Sequence, residues 1–275
     1  MEANCNFFNL MQAHLEEIGK LNNPTQASLD RKNGKKLDFS IHIKYMIHAQ
    51  LSNQEKWTNV LKNIDKIDNV FFKYDICKIK EKPWNFFYDN LKPLLTRGVS
   101  LEGQMQNLHL NISTMESINN EYKDGGIDSY VVSKSPREIV VNFTRNHKLK
   151  YMGVSLICEY LKNVGVECAK PDTHIMRFLS KTRRGFLSKD EACIIKKGRK
   201  KGEKKETNWS DNDKIKALKI IEEIGKKCGK TASDIDRIIW SYCADNYGEI
   251  CTKSPKCYIC VVKDGCNHIE SGVKF

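Results

Sequence analysis

Leu149-Lys-Tyr-Met-Gly-Val-Ser-Leu-Ile-Cys-Glu-Tyr-Leu161 is the stretch on which the fold turns. With Val164 just beyond it, Leu149, Met152, Leu156, Ile157, Tyr160 and Leu161 recur at the 3.6-residue spacing of one helical face. Upstream, Ser135-Pro136-Arg137-Glu138 sets a capping-box Ser and Glu three apart, with Pro at the first helical position. That start predicts a helix through Val140, Val141 and Phe143, then a turn through Gly153 and a second helix: a helical hairpin. Backbone N–H groups at the start of a second helix point outward and attract a phosphate. A side chain at Gly153 would hold the backbone away from such an anion.

Outward from the hairpin, the pattern reads as helices joined by short polar loops, and the fold class is mainly α. Helices are expected over 5–19, 38–51, 54–64, 84–95, 101–120 and 173–181. Two more follow, one capped by Ser210 or Asp211 and running to about 227, the other capped by Ser233 and running to about 247. Residues 20–37, with Asn-Pro and Asn-Gly breakers, read as a connection. In the 38–51 helix the apolar residues do not keep to one face.

The chain has 275 residues, 40% of them hydrophobic, with 6 Pro and 16 Gly, a globular rather than a disordered composition. No run of about 18 apolar residues is present, so no membrane span is expected. The N-terminus lacks the basic and apolar regions of a signal peptide, which makes a cytoplasmic protein the expectation. The formal net charge of +12 favours polyanionic partners, although a Lys-rich surface alone can produce it. Basic residues concentrate in the insertion 182–209, which holds Arg183, Arg184, Lys196, Lys197, Arg199, Lys200, Lys201, Lys204 and Lys205 and reads as a loop. It is either a salt-sensitive DNA contact or a solvated insertion.

The 11 Cys, an odd count without an export signal, argue against a disulfide framework. Seven are scattered, but Cys251, Cys257, Cys260 and Cys266 follow a C-x5-C-x2-C-x5-C spacing. Soft thiolates so close together suit an iron–sulfur cluster or zinc. Structural zinc sites usually present two short Cys pairs and here there is one, which favours the cluster; unligated thiols are the third reading. Lys253 and Lys256 lie in the first arm, placed either to meet a phosphate or simply to face solvent. Nineteen residues after Gly153 stands Asp172, in Lys170-Pro-Asp-Thr-His-Ile175. It is either the N-cap of the next helix or a carboxylate aimed at a reacting sugar.

The order of hairpin, aspartate and terminal four-Cys loop resembles the endonuclease III branch of the helix-hairpin-helix DNA glycosylases. That family's hairpin reads L-P-G-V-G, followed after about twenty residues by V-D-T-H-I, and its cysteines run C-x6-C-x2-C-x5-C. Here the matching pieces are Leu149 through Gly153, Asp172-Thr-His-Ile175 and the four cysteines. Ile47-His-Ala49-Gln50 is similar to the family's L-S-A-Q segment, whose Gln enters the duplex. Trp240 and Tyr242 sit on the helix leading to the cysteines, much as in relatives. The likeness covers roughly 38–275.

The resemblance implies two helical domains: a six-helix barrel with the helix-hairpin-helix over 38–166, and an iron–sulfur cluster domain made of 1–37 and 167–275. It implies a monomeric, nucleoid-associated enzyme of base-excision repair that hydrolyses the N-glycosidic bond of a flipped, damaged or mispaired base in double-stranded DNA. Asp172 is its expected catalytic carboxylate. Gln50, Lys150, Gly153, Val154, Lys253 and Lys256 are the expected DNA contacts, and the four cysteines hold a 4Fe-4S cluster.

Two departures matter. The family's first hairpin Gly is Tyr151 here, which weakens the phosphate grip. Bifunctional members carry a Lys where this chain has Ser155, or Val154 if the register is counted back from Asp172. Without that amine no Schiff base forms, so a monofunctional enzyme is expected. The alternatives are a bifunctional glycosylase and AP lyase using a displaced amine such as Lys150 or Lys170, and a non-catalytic DNA-binding iron–sulfur protein. Trp57, Trp84, Phe86, Phe87 and Tyr88 are available to line a base pocket, although core roles suit such residues equally. His42 and His48 have no assigned role.

Overall fold

The computed structural model describes residues 2–53, 55, 57–96, 100–122, 124–179 and 209–266. The described residues form helices and no strand. In chain order these are α1 (Glu2–Glu17), α2 (Gln26–Lys32), α3 (Phe39–Leu51), α4 (Trp57–Lys62), α5 (Ile64–Val70), α6 (Ile76–Glu81), α7 (Trp84–Leu91), α8 (Leu101–Gln106), α9 (Leu108–Glu121), α10 (Gly126–Val132), α11 (Pro136–Thr144), α12 (Val154–Asn163), α13 (Thr173–Phe178), α14 (Asp211–Lys227) and α15 (Ala232–Cys243). The basic run falls outside the described residues. The chain divides into two compact units, residues 25–166 and residues 1–24 with 167–275.

In the unit 25–166, α3 is the central helix, packed against α12, α10 and α9. His42, Ile43 and Met46 through Leu51 are all buried and the other residues are only part-exposed, so the pattern is not one-sided. The capping box forms as expected: Ser135 Oγ accepts from Glu138 N and Glu138 returns a bond to Ser135 N at 3.0 Å. The stripe of α12 buries Ile157, Tyr160 and Leu161 against α3 and α11. Its end is set by Gly165 at φ 78°, where Val166 N bonds Leu161 O at 2.9 Å. A Cβ at Gly165 would run into the backbone of Ala27, so this glycine is also what lets α2 dock.

That docking moves a boundary. The expectation joined 1–37 to the C-terminal part, but residues 25–37 belong with 38–166. Arg31 is the reason: its Nε donates to Val164 O at 2.9 Å and its Nη2 to Asp128 Oδ1 at 2.6 Å. Helix α2 itself was read as connection; Thr25 caps it by accepting from Ser28 N at 3.2 Å.

Two polar networks hang from the two histidines of α3. His42, fully buried, bonds Tyr160 Oη at 2.7 Å through Nδ1 and Asp128 Oδ1 at 3.0 Å through Nε2. Burial works against the Asp128 charge, but bonds from His42 and Arg31 prevail and hold its pKa down at about 2. The carboxylate therefore needs the His42 Nε2–H, and Nδ1 accepts from Tyr160. Burial lowers the pKa of His42, which keeps it neutral in this role. In the second network Tyr74 Oη donates to Asp68 at 2.6 Å, His48 Nε2 lies 2.6 Å from Tyr74 Oη, and Lys44 Nζ bonds Asp68 at 2.9 Å. Both histidines thus have structural roles. Phe87 is core too, stacked on Phe71 at 5.2 Å, whereas Trp84 is 38% exposed.

In the other unit, α1 packs on α15 through Phe8, Met11 and Leu15, and α13 packs on α15 and α14. Phe178 meets the rings of Phe7 and Phe8 at 6.2 and 6.4 Å. Asp236, buried on α15, accepts from Lys170 N at 2.7 Å and holds the chain leading into α13. Ser210 caps α14 in a capping box with Asp213. Helix α15 is capped by Thr231 with Asp234 rather than by Ser233, whose hydroxyl instead bonds Cys168 O at 3.1 Å. It stops at Cys243, short of 247, because Ala244 is extended and Asn246 turns left-handed at φ 68°. The expectation of unpaired scattered cysteines fails at one pair: Cys5 and Cys228, 5.0 Å apart at Cα, form a disulfide that ties α1 to the end of α14.

Candidate functional site

The turn between α11 and α12 is built on one residue, Lys150. Its N–H donates to Asn111 Oδ1 at 2.7 Å, and its carbonyl accepts from Asn111 Nδ2 at 3.0 Å and from Gln50 Nε2 at 3.4 Å. Asn111 is fully buried on α9, so the peptides on either side of the Lys150 Cα are both pinned by it. Gln50 is pinned in turn, since its own carbonyl accepts from Gln104 Nε2 at 2.8 Å. Its exposure is 0%, and among the described residues Gln50 Oε1 has no hydrogen-bond partner. A residue expected to enter DNA is here part of the turn's support.

Above this clamp the backbone crosses two unusual positions. Tyr151 takes φ 58°, the left-handed region, and is 53% exposed. For a bulky L-residue that conformation costs roughly 1–2 kcal/mol. The resemblance puts a glycine here and implies that Tyr151 weakens the phosphate grip; the backbone nevertheless adopts the glycine-like conformation. Gly103 on α8 makes room, because a Cβ there would strike the Tyr151 ring. Two residues on, Gly153 is the N-cap of α12 at φ −81°, ψ 176°, an extended conformation open to any residue. A Cβ at Gly153 would meet nothing within 4 Å, and as N-cap the glycine brings no side chain of its own to the first-turn amides of α12. Neither conformation nor internal packing calls for glycine at this position. What the missing side chain does provide is an open approach to the amides of the first turn.

The other residues expected here differ in what they present. Lys150 is exposed, Ser155 is half-buried in the first turn of α12, and the Val154 side chain is fully buried, so only its backbone can meet a ligand. Beside the turn runs an open groove of about 470 Å³ whose lining includes Ser113, Ser117, His147, Lys148 and Lys150. Hydroxyl and ammonium donors of this kind suit a phosphate.

Asp172 lies in the other unit as the N-cap of α13. Its Oδ1 accepts from His174 N at 2.8 Å and from Ile175 N at 3.3 Å. The capping role is therefore real. Both bonds fall on Oδ1; among the described residues Oδ2 accepts none. Around it, Arg177 Nη2 lies 3.0 Å from His174 Nδ1, which makes that nitrogen the acceptor and puts the His174 proton on Nε2. Burial lowers the His174 pKa, in line with a neutral ring. The His174 ring meets Trp240 at 6.3 Å, and Trp240 meets Tyr247 at 4.6 Å.

The cysteine loop is organised by Tyr242, buried on α15. Its carbonyl accepts from Ile250 N at 2.9 Å and Cys251 N at 3.1 Å. Its hydroxyl accepts from Val261 N at 3.2 Å and donates to Cys260 Sγ at 3.4 Å. One residue thus ties the first arm and the short Cys pair to the same helix end. Cys251, Cys257, Cys260 and Cys266 are all half-buried and outside any disulfide. As a donor set, four thiols outside any disulfide on one anchored loop fit a soft metal or an iron–sulfur cluster. Among the described residues no three His, Cys, Asp or Glu side chains are gathered closely enough to hold a metal ion. Cys243, one of the scattered cysteines, is buried beside Cys251, whose thiol raises the Cys243 pKa together with burial. Its place eight residues before Cys251, at the end of the helix, was the signal available in the sequence. Lys256 pairs with Glu249 at 3.4 Å, and Lys253 is exposed. No helix among the described residues is long and apolar enough to cross a membrane.

No family model, curated protein or solved structure matches the chain.

Proposed function

We propose that this protein is a monofunctional DNA glycosylase of the helix-hairpin-helix type. It binds double-stranded DNA and hydrolyses the N-glycosidic bond of a damaged or mispaired base held out of the stack. On this reading the unit 25–166 is a six-helix barrel carrying the hairpin, and the other unit is an iron–sulfur cluster domain. The protein acts as a monomer on the nucleoid. The observation that carries the proposal is Gly153: a helix start whose N-cap is a glycine that neither backbone conformation nor packing requires. Exposed Lys150 beside it supplies charge, and the hydroxyls and amines of the neighbouring groove extend the anion-attracting surface.

In the reaction, positive charge builds on the deoxyribose as the base departs. Asp172 stabilises that charge with its carboxylate and orients the attacking water. Its two N–H bonds hold Oδ1 in place, which leaves Oδ2 to face water or sugar. Ser155, where a nucleophilic amine would stand, forms no covalent intermediate, so the product is an intact strand with an abasic site. Cys251, Cys257, Cys260 and Cys266 would hold a 4Fe-4S cluster, which would serve as a staple for the loop that presents Lys253. Iron and sulfide content of protein purified without oxygen tests that assignment, with Cys260→Ser as the comparison.

The decisive experiment is single-turnover cleavage on a panel of duplexes, each with one lesion or mispair, read with and without alkali and with borohydride trapping. Breaks only after alkali and no trapped adduct are expected. Direct scission with a trapped adduct would assign an amine nucleophile and overturn the role of Ser155. No cleavage of any duplex, with binding retained, would leave a non-catalytic DNA-binding protein.

A further inference from the structure

Two neighbouring positions in the hairpin carry the wrong residues for their backbones. Gly153 sits where no glycine is needed, and Tyr151 sits at φ 58°, where glycine is the residue that adopts the conformation without cost. Strain of this sort persists where surrounding structure over-determines it, and it concentrates at functional sites. Here the over-determination is visible. Asn111 and Gln50 pin the peptide of Lys150 immediately before Tyr151, and Gly103 keeps clear the space that the ring occupies. Burial does not account for Tyr151, a residue 53% exposed, while its neighbours Met152 and Leu149 are buried.

We propose that Tyr151 is a DNA-contact residue whose exposed ring stacks on an unstacked base of the bound duplex. The inference rests on the DNA-binding reading of the hairpin and adds to it a second mode of contact. The helix start meets the phosphate; the aromatic face meets a base. Every base offers a π-face, so the contact suits a protein that must hold locally distorted DNA of any sequence. Lys148 and Lys150, both exposed, lie just before Tyr151 in sequence and keep the backbone of the strand close.

The test is binding to a duplex with a stable abasic analogue flanked by 2-aminopurine, read by affinity and by quenching of the fluorescent base, with Tm measured on each variant. Tyr151→Gly removes the ring and relaxes the backbone, so its Tm should rise by about 2–4 °C. Its affinity should fall by about tenfold and quenching should be lost, the effect of removing one base–aromatic stack. Tyr151→Phe should keep both. Gly103→Ala, which displaces the ring without altering it, should weaken binding in the same direction. Wild-type affinity in Tyr151→Gly would overturn the inference and leave the glycosylase reading standing. Absence of DNA binding by the wild-type protein would sink both. Weaker binding by Tyr151→Gly together with a lower Tm would make Tyr151 a structural residue and overturn the inference as well.

Discussion

Asp172 caps a helix and is proposed to act in catalysis, and a pair of substitutions can separate the two. As N-cap it accepts from His174 N at 2.8 Å and Ile175 N at 3.3 Å. Asparagine caps about as well as aspartate, so Asp172→Asn keeps both bonds through its amide oxygen and forfeits the charge at the helix start, a loss of about 0.3–1 kcal/mol. Asp172→Ala removes both bonds at a cost of about 1 kcal/mol, roughly 2–4 °C in Tm. If the carboxylate stabilises charge on the departing sugar, Asn should slow single-turnover excision by about 100-fold or more, since the amide oxygen carries no charge to offer. Alanine should be as slow and also less stable. The assay is excision with enzyme in excess over the duplex identified by the lesion panel, with Tm and DNA affinity measured on the same preparations. Full excision by Asp172→Asn would refute the reasoning and leave Asp172 as a cap alone. Excision that falls only in step with Tm across the two variants would do the same.

Acid should unfold the unit 25–166 in a way that Asp128 controls. Its pKa is lowered from 3.8 to about 2 in the folded chain, so its contribution is complete above pH 4 and is lost as pH falls toward 2, a loss of about 2 kcal/mol. Urea unfolding of Asp128→Asn should be less stable than wild type at pH 7, with a gap that narrows by that amount toward pH 2; a gap independent of pH would contradict it. His42 adds a separate, higher step: its lowered pKa means that the unfolded chain takes up a proton below about pH 6.5 that the folded one does not, so stability declines with acid from there. Tyr242→Phe removes the hydroxyl shared by Val261 N and Cys260 Sγ, and should cost about 1 kcal/mol and speed the loss of any bound iron to a chelator; unchanged loss would separate Tyr242 from the loop. Reduction with dithiothreitol should lower the Tm of the wild-type chain by an amount equivalent to about 2–4 kcal/mol and leave Cys5→Ser unaffected, whereas equal responses would show that the Cys5–Cys228 bridge contributes nothing.

What could be read from the sequence was local. The capping box at Ser135, the cap at Ser210, the stripe of α12 and the mainly α class depend on residues within a turn or two of one another, where spacing translates directly into geometry. The Asp172 cap and the four-Cys spacing are of the same kind. Long-range packing decided the rest. Residues 20–37 looked like linker because the partners of Arg31, Asp128 and Val164, lie about a hundred residues or more along the chain. For Gln50 the sequence left a DNA contact and a buried helix-end role equally open, because nothing near it in sequence announces that its side chain will reach Lys150 O or that Gln104 will bond its carbonyl. Cys5 and Cys228 looked unpaired because only the packing of α1 and α14 in one unit brings them together. That Tyr151 would take the conformation of the family's glycine was not legible, because its support comes from Asn111 on α9 and from the space left at Gly103 on α8. Periodicity and capping are properties of a segment, so a segment suffices to determine them. Burial, pairing and strain depend on which distant segments meet, and only the tertiary structure decides that.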